Sequence, residues 1–372
     1  MGGNHYKQRL RTWLHKADIR IDGDRPWDLR VRNADFYSRI IRGGSLAVGE
    51  SYVDGWWDCD QLDEFFARVL RERLDKRFHT LVNRLYNLKG LFLNRQTSAR
   101  SFQVGRRHYD LGNKLYRAML DKRMIYSCAY WRGANDLDQA QEVKLDLICR
   151  KLQLEPGMRV LDIGCGWGGA ARFLARHYGV QVVGLTISRE QAAMAREYCR
   201  GLPVEIRLRD YHALDERFER IYSIGMFEHV GYRNYRSYMQ IIRRCLDDRG
   251  LFLLQTIAGN KSLHSTDPWI ERYIFPNSML PSAKQIGRAF EGLFVLEDWH
   301  GFGAHYDRTL MQWYANFEAA WDGLRADYSE QFHRMWRYYL LVSAGSFRAR
   351  SNQVWQILLS PRGIAGGVAA QR

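Results

Sequence analysis

The stretch "VLDIGCGWGG", Val160 to Gly169, decides how the rest of the chain is read. A short apolar run stops at glycines, and "GGAARFLARHYG" follows with helical spacing. Strand, glycine loop, helix is the context that gives such a loop its meaning. Gly164 and Gly166 carry no Cβ, so the backbone there can come close to a ligand. Gly168 and Gly169 permit tight packing where the helix begins, and Asp162 can reach a polar group of a ligand. A purely structural strand-to-helix turn satisfies the same pattern. A dinucleotide loop does not: the spacing is D-x-G-x-G-x-G-G, and no Asp or Glu ends "VVGLTIS" to hold a ribose.

On both sides of the loop, strand-like and helix-like segments alternate. "VQVVGLTI", "VEIRLRD", "ERIYSIGMF" and "GLFLLQTI" read as strands; "SREQAAMAREYCRG" and "YRSYMQIIRRCL" read as helices. This rhythm predicts an α/β fold with a doubly wound, mostly parallel sheet. "FVLEDWHGF", two helices around Leu310–Ala320 and Phe332–Phe347, and the apolar run "VWQILLS" come later; the last is a candidate added edge strand. Residues 1–95 differ. "DIRIDGDRPWDLRV" suggests short strands and turns. In "CDQLDEFFARVLRERLDKRFHTLVNRLYNLKGLF", Leu70, Leu74, Phe78, Leu81, Leu85 and Leu88 recur at helical steps among arginines and lysines. A basic amphipathic helix of this kind can lie on anionic lipid, or simply pack on a core. The polar stretch "LNRQTSARS", Leu93 to Ser101, marks the boundary to a second domain, 96–372.

The chain of 372 residues has a formal net charge of +15, which favours an anionic partner, either nucleic acid or a membrane surface. None of the six cysteines sits in a C-x-x-C pair or at zinc-ligand spacing from a histidine, so no metal is expected. With no signal-peptide pattern at the N-terminus, this points to a reducing cytoplasm. No apolar run approaches the ~20 residues that span a bilayer, so a membrane-active form would lie on the surface.

D-x-G-x-G resembles the S-adenosylmethionine (SAM) loop of class I methyltransferases. Thr186, Ser188 and Gln191 occupy the region of the usual acidic ribose ligand, and Asp210 and Tyr211 follow the third strand, where such folds hold adenine. Further segments then appear in order: "HYDLGNKLY", "YSCAYW", "GMFEHVG", "LLQTIAGN", "DPWIERYIFPNSMLPS" and "GFGAHYDRTLMQWY". Together they closely resemble the cyclopropane-fatty-acyl-phospholipid synthase family, from about residue 15 to near the C-terminus. The resemblance implies a seven-stranded Rossmann-like methyltransferase sheet behind a small N-terminal α+β domain that docks on lipid. It implies methyl transfer from SAM to the double bond of an unsaturated acyl chain in a membrane phospholipid, then ring closure. SAM contacts carry over to Tyr126, Ser127, Asp162, Gly164, Gly166, Thr186, Gln191, Asp210 and Tyr211. The base in the family is a bound bicarbonate. Its cradle maps onto Glu228, Tyr306, position 255 and the backbone at Cys128 and Ile257. Position 255 departs from the family's common His: Gln255 keeps a donor and an acceptor but cannot carry charge. The family also implies a homodimer, peripheral on the cytoplasmic face of an anionic inner membrane.

The residue types suit this chemistry. An isolated alkene is a weak nucleophile, so the sulfonium methyl must be held in line with it. Transfer leaves a carbocation, which needs a closed apolar pocket and can be steadied by aromatic faces. Tyr126, Tyr130, Trp131, Tyr273, Phe275, Phe302 and Tyr306 are available, although core packing explains most aromatics equally well. The chemistry gives Cys128 no nucleophilic role. Three other functions compete. A nucleic-acid methyltransferase lacks support, because "GMFEHV" stands where N/D-P-P-Y/W is needed. A methyl-branching lipid methyltransferase shares the first step and stays open. A non-catalytic lipid-binding protein rests on Gln255 alone.

Overall fold

The computed structural model describes residues 2–78 and 112–372. The later half of the expected basic helix, the boundary Leu93–Ser101 and the start of "HYDLGNKLY" lie outside the described residues. The chain forms two compact units. One gathers residues 2–78 with His264–Pro276 and Tyr306–Asn352; the other gathers residues 112–263 with Asn277–His305 and Gln353–Arg372.

A single cut near residue 95 does not anticipate the two late segments of the first unit. Side-chain size explains why they belong there. A Cβ on Gly345, in the helix Glu330–Arg348, would lie 2.5 Å from the carbonyl oxygen of Asp63 in the helix Leu62–Arg71. A Cβ on Gly49, in the helix Phe36–Val53, would lie 2.4 Å from the Trp269 ring. Arg348 also binds Asp63 at 2.7 Å and Asp307 at 2.9 Å, and Arg334 donates to the Tyr52 carbonyl at 2.8 Å. Strands β1 (Arg30–Val31) and β2 (Trp57–Asp58) form a small antiparallel ribbon. The basic segment, expected as one or two helices, is interrupted. Its helix ends at Arg71, Arg73 turns left-handed at φ 53°, and a 3-10 turn covers Leu74–Phe78.

The second unit carries the seven-stranded sheet. Its strands are β3 (Arg159–Ile163), β4 (Gln181–Thr186), β5 (Val204–Leu208), β6 (Phe218–Ile224), β7 (Leu246–Gly259), β8 (Val295–Gly301) and β9 (Asn352–Ser360). Their order is β5-β4-β3-β6-β7-β9-β8; β5 to β7 pair in parallel through β3, and β8 pairs antiparallel with β9. "VWQILLS" is therefore an inner strand, and "FVLEDWHG" is the edge. The burial agrees: β9 is almost wholly buried, whereas Val295 and Leu296 of β8 are exposed. Alternate residues feed two cores, as the period of a pleated strand requires. Leu161, Val183, Ile221, Phe252 and Ile357 face the helices Tyr235–Cys245 and Ala283–Phe290. Val160, Val182, Tyr222, Leu253 and Leu358 face the helices Leu137–Lys151 and Gly169–Tyr178.

Candidate active site

The chain visits β4 and β5 on one side of β3, then crosses to β6 on the other. Ligands of open α/β sheets bind at the carboxyl ends of the strands where the order reverses. The glycine loop leaves β3 there and "GMFEHV" leaves β6. The two loops touch: a Cβ on Gly164, at φ +90°, would lie 3.0 Å from Met226 Cβ. Gly166 also has positive φ (+53°), but a Cβ there meets nothing within 4 Å. A Cβ on Gly169 would sit 2.1 Å from the Arg123 carbonyl oxygen, so the helix start is pressed against the segment that leads into "YSCAYW".

That segment is strapped from beneath. Asp121 accepts from the Ile125 N–H at 2.8 Å and the Arg123 N–H at 3.0 Å. Gln141 donates to the carbonyls of Ser127 (2.9 Å) and Ile125 (3.2 Å), and Lys144 donates to the Ser127 hydroxyl at 3.0 Å. Tyr126 packs edge-on to Tyr116, with ring centres 5.2 Å apart. Asp162 is turned into the sheet, where it accepts from Tyr222 at 2.7 Å; burial pushes its carboxyl up to about 7 against the pull of Tyr222 and Lys144.

Beyond β4, Thr186 donates to Gln191 at 3.0 Å, and Ser188 caps the helix Arg189–Tyr198. A neutral hydroxyl–amide pair therefore stands where a ribose-binding acid is common. Beyond β5, Asp210 accepts from the backbone N–H of His212 at 2.9 Å, and the Tyr211 ring stacks on His212 at 4.1 Å. These residues, the glycine loop and Tyr126–Ser127 belong to one unit and share the same end of its sheet. With the open backbone at Gly166, this set fits the nucleoside and amino-acid parts of SAM.

At the end of β6, Glu228 is 5% exposed and accepts from the Ile257 N–H at 2.6 Å through Oε1. Burial pushes its carboxyl up to about 7, opposed chiefly by that N–H. The Thr256 hydroxyl lies close enough to pull in the same direction, but it donates to the Ile257 carbonyl at 2.9 Å. Glu228 Oε2 is left without a hydrogen-bond partner. Ile257 thus acts through Glu228, its N–H already taken. Gln255 faces Ile224 across β6 and β7. Its Nε2 lies 3.5 Å from the Cys128 carbonyl, and its Oε1 accepts from Gln356 Nε2 at 2.9 Å. A carbonyl oxygen only accepts, so the Cys128 carbonyl fixes which way this amide points. One N–H of Gln255 remains to donate. A small oxyanion bearing a hydroxyl fits this corner, with Glu228 Oε2 to accept and Gln255 to donate. Tyr306 lies in the first unit, where its ring meets Phe347 at 4.7 Å and Trp313 at 5.7 Å.

The sequence reading passed over Gln356, Gln141 and Lys144. Each is 0% exposed. Their signal was polarity on an apolar face: Gln141 and Lys144 share a helix face with Leu137, Leu145 and Ile148, and Gln356 interrupts "VWQILLS".

All six cysteines are buried free thiols. The Cys128 thiol donates to the neighbouring Ala129 carbonyl at 3.3 Å, while its own carbonyl meets Gln255. Cys128→Ala is expected to keep most of the activity, since the carbonyl stays in place. Complete loss in a folded variant would reinstate the thiol as a reacting group.

Comparison with known proteins agrees with this geometry. Residues 96–357 match the family model described as mycolic acid cyclopropane synthetase. The chain is 52% identical over 360 residues to the cyclopropane-fatty-acyl-phospholipid synthase of Escherichia coli K12, covering 96% of this chain and 94% of the relative. The cyclopropane synthase MmaA2 from Mycobacterium tuberculosis superimposes with a TM-score of 0.66 at 32% identity, covering 69% of this chain and 97% of that one. The mycolic acid cyclopropane synthase CmaA1, solved with SAH and CTAB, gives a TM-score of 0.65 at 33% identity over the same shares, 69% and 97%. With a seven-stranded sheet, a D-x-G-x-G loop at its switch point and a match across most of its length, the chain belongs to the mycolic acid cyclopropane synthetase family of SAM-dependent methyltransferases.

Proposed function

We propose that this chain moves the methyl carbon of SAM onto the double bond of an unsaturated acyl chain in a membrane phospholipid and closes it to a cyclopropane ring. The observation that carries the reading is the buried Glu228 carboxyl with one unpartnered oxygen, held at 2.6 Å by the Ile257 N–H. SAM supplies an electrophilic methyl; everything else falls to the chain. The glycine loop, Tyr126, Ser127, Thr186, Gln191, Asp210 and Tyr211 bind and orient it. The aromatic residues of the site exclude water from the cation that forms. Glu228 Oε2 is the atom able to take up the proton released at ring closure. Gln255 donates to a bicarbonate held beside it, with Cys128 and Gln356 fixing the amide. Tyr306 is assigned to the bicarbonate by the family resemblance alone, and a homodimer is part of the same reading.

The substrate lies in a bilayer, and the first unit offers a surface for it. The helix Gly2–Lys16 contains no acid, exposes Lys7, Arg9, Arg11 and Lys16, and buries Leu10, Trp13 and Leu14. Arg9 and Arg77 both sit over the Trp13 ring, at 4.6 and 5.8 Å. No helix among the described residues is long and apolar enough to cross a membrane. This surface supports docking on the anionic cytoplasmic leaflet.

The test is incubation with labelled SAM and vesicles of unsaturated anionic phospholipid over a salt series, read by lipid mass and by co-sedimentation. The expected product gains one CH₂ and loses its alkene, and binding falls as salt rises. A product that keeps its alkene makes the chain a methyl-branching enzyme. Binding that ignores salt removes the docking surface.

A further inference from the structure

Lys144 is the one buried cation beneath the strap that the mechanism above does not use. It lies on the helix Leu137–Lys151 and is 0% exposed. Its Nζ donates to Ser127 Oγ at 3.0 Å. Burial lowers its ammonium to about 8, while Asp121 and Asp162 pull it back up. Burying an ammonium is costly, and the charges of Asp121 and Asp162 offset part of that cost.

What it acts on is the polarity of Ser127. A lysine ammonium only donates. Ser127 Oγ must therefore accept from Lys144, and its single proton is free to be donated onward. That proton has no acceptor among the described residues. The Ser127 carbonyl is tied separately, by Gln141 at 2.9 Å, so the residue is held at two points while its hydroxyl proton points onward.

The location says which part of the cofactor receives it. A Cβ on Gly225, at the end of β6, would lie 4.0 Å from Ser127 Cβ. Thr186, Gln191, Asp210 and Tyr211 follow β4 and β5, on the far side of β3. If those residues hold the nucleoside, Ser127 stands at the opposite, methionyl end. That end carries an ammonium, which donates, and a carboxylate, which accepts. Only the carboxylate can take the Ser127 proton, and the Lys144 ammonium behind the hydroxyl repels a second ammonium at its remaining lone pair.

We propose that Lys144 is a positioning residue that turns the Ser127 hydroxyl so that it donates to the carboxylate of SAM. The proposal rests on Ser127 being a cofactor contact, and the test separates the two. SAH and its decarboxylated analogue are titrated into the full-length protein and its variants by calorimetry. The wild type prefers SAH. Ser127→Ala and Lys144→Met each shrink that preference by about tenfold or more, the size of a lost hydrogen bond to a charged group. Lys144→Arg, which also only donates, recovers part of it.

A Ser127→Ala protein with unchanged preference shows that Ser127 is not the contact, and the functional reading of that residue fails. A shifted Ser127→Ala beside a folded Lys144→Met that weakens both ligands equally overturns the proposal, because Lys144 is then only structural. Should Lys144→Met not fold, Lys144→Met with Asp121→Asn removes the charge together with one of its partners, and the same ratio is read.

Discussion

Glu228→Gln lowers kcat by about 10²- to 10⁴-fold, the range for loss of a positioned proton acceptor, while SAH affinity stays near wild type. Glutamine is isosteric, and its carbonyl can still accept from the Ile257 N–H. What it loses is the capacity of Oε2 to take a proton. The carboxyl of Glu228 is pushed up to about 7 by burial. A protonated acid cannot receive a second proton, so the ionised form is the working one. Wild-type kcat therefore rises with pH through about 7 and levels off above it. The Gln variant shows only residual activity, without that limb. A Glu228→Gln enzyme with near wild-type kcat would remove Glu228 from the proton path.

The same burial has a stability consequence of opposite sign to a salt-bridged acid. The folded state holds this carboxyl at about 7 against an ordinary value of 4.5, so it binds a proton that the unfolded chain has released. The contribution of Glu228 to stability falls as pH rises from about 4.5 to about 7, and the deficit persists above that. Glu228→Gln removes it. At pH 8 the variant melts no lower than wild type, which separates its catalytic defect from misfolding. Buried groups with raised pKa of this kind are what active sites accumulate.

The sheet and its ligand loop were legible in the sequence because both obey local rules. "VLDIGCGWGG" combines a strand period, glycines without Cβ and a helix start within ten residues, and the β-α-β rhythm around it admits few topologies. Features set by distant partners were not legible. "VWQILLS" has the same apolar look in an edge or an inner strand; its place between β7 and β8 depends on β8, the earlier strand in the chain, taking the outer position and leaving Val295 and Leu296 exposed. The leucine steps from Leu70 onward read as one or two helices with no mark for a break, yet Arg73 turns left-handed between Leu70 and Leu74. Gln255 was readable as a donor, but its orientation is imposed by Cys128 and Gln356, which lie 127 and 101 residues away along the chain.

The glycine loop supplies the other large effect, and its positions separate folding from binding. At Gly166 a methyl enters open space in the protein, so Gly166→Ala costs folding only the strain of its φ of +53°, about 1–2 kcal/mol. Cofactor is expected to fill that space. SAH affinity then falls by about 5- to 150-fold, the equivalent of 1–3 kcal/mol of overpacking, with the melting temperature lowered by only a few degrees. Gly169→Ala acts differently. Its Cβ would lie 2.1 Å from the Arg123 carbonyl oxygen, which is backbone and cannot rotate away. The strap must move, carrying with it Tyr126, the Ser127 hydroxyl and the Cys128 carbonyl that orients Gln255. A displacement of about 1 Å at a positioned group costs about 10²-fold in rate, so kcat/KM falls at least that far, with a clear loss of thermal stability. SAH calorimetry and thermal melts on the two variants distinguish these outcomes. Wild-type SAH affinity in Gly166→Ala would mean that the open space above the loop is not where the cofactor lies.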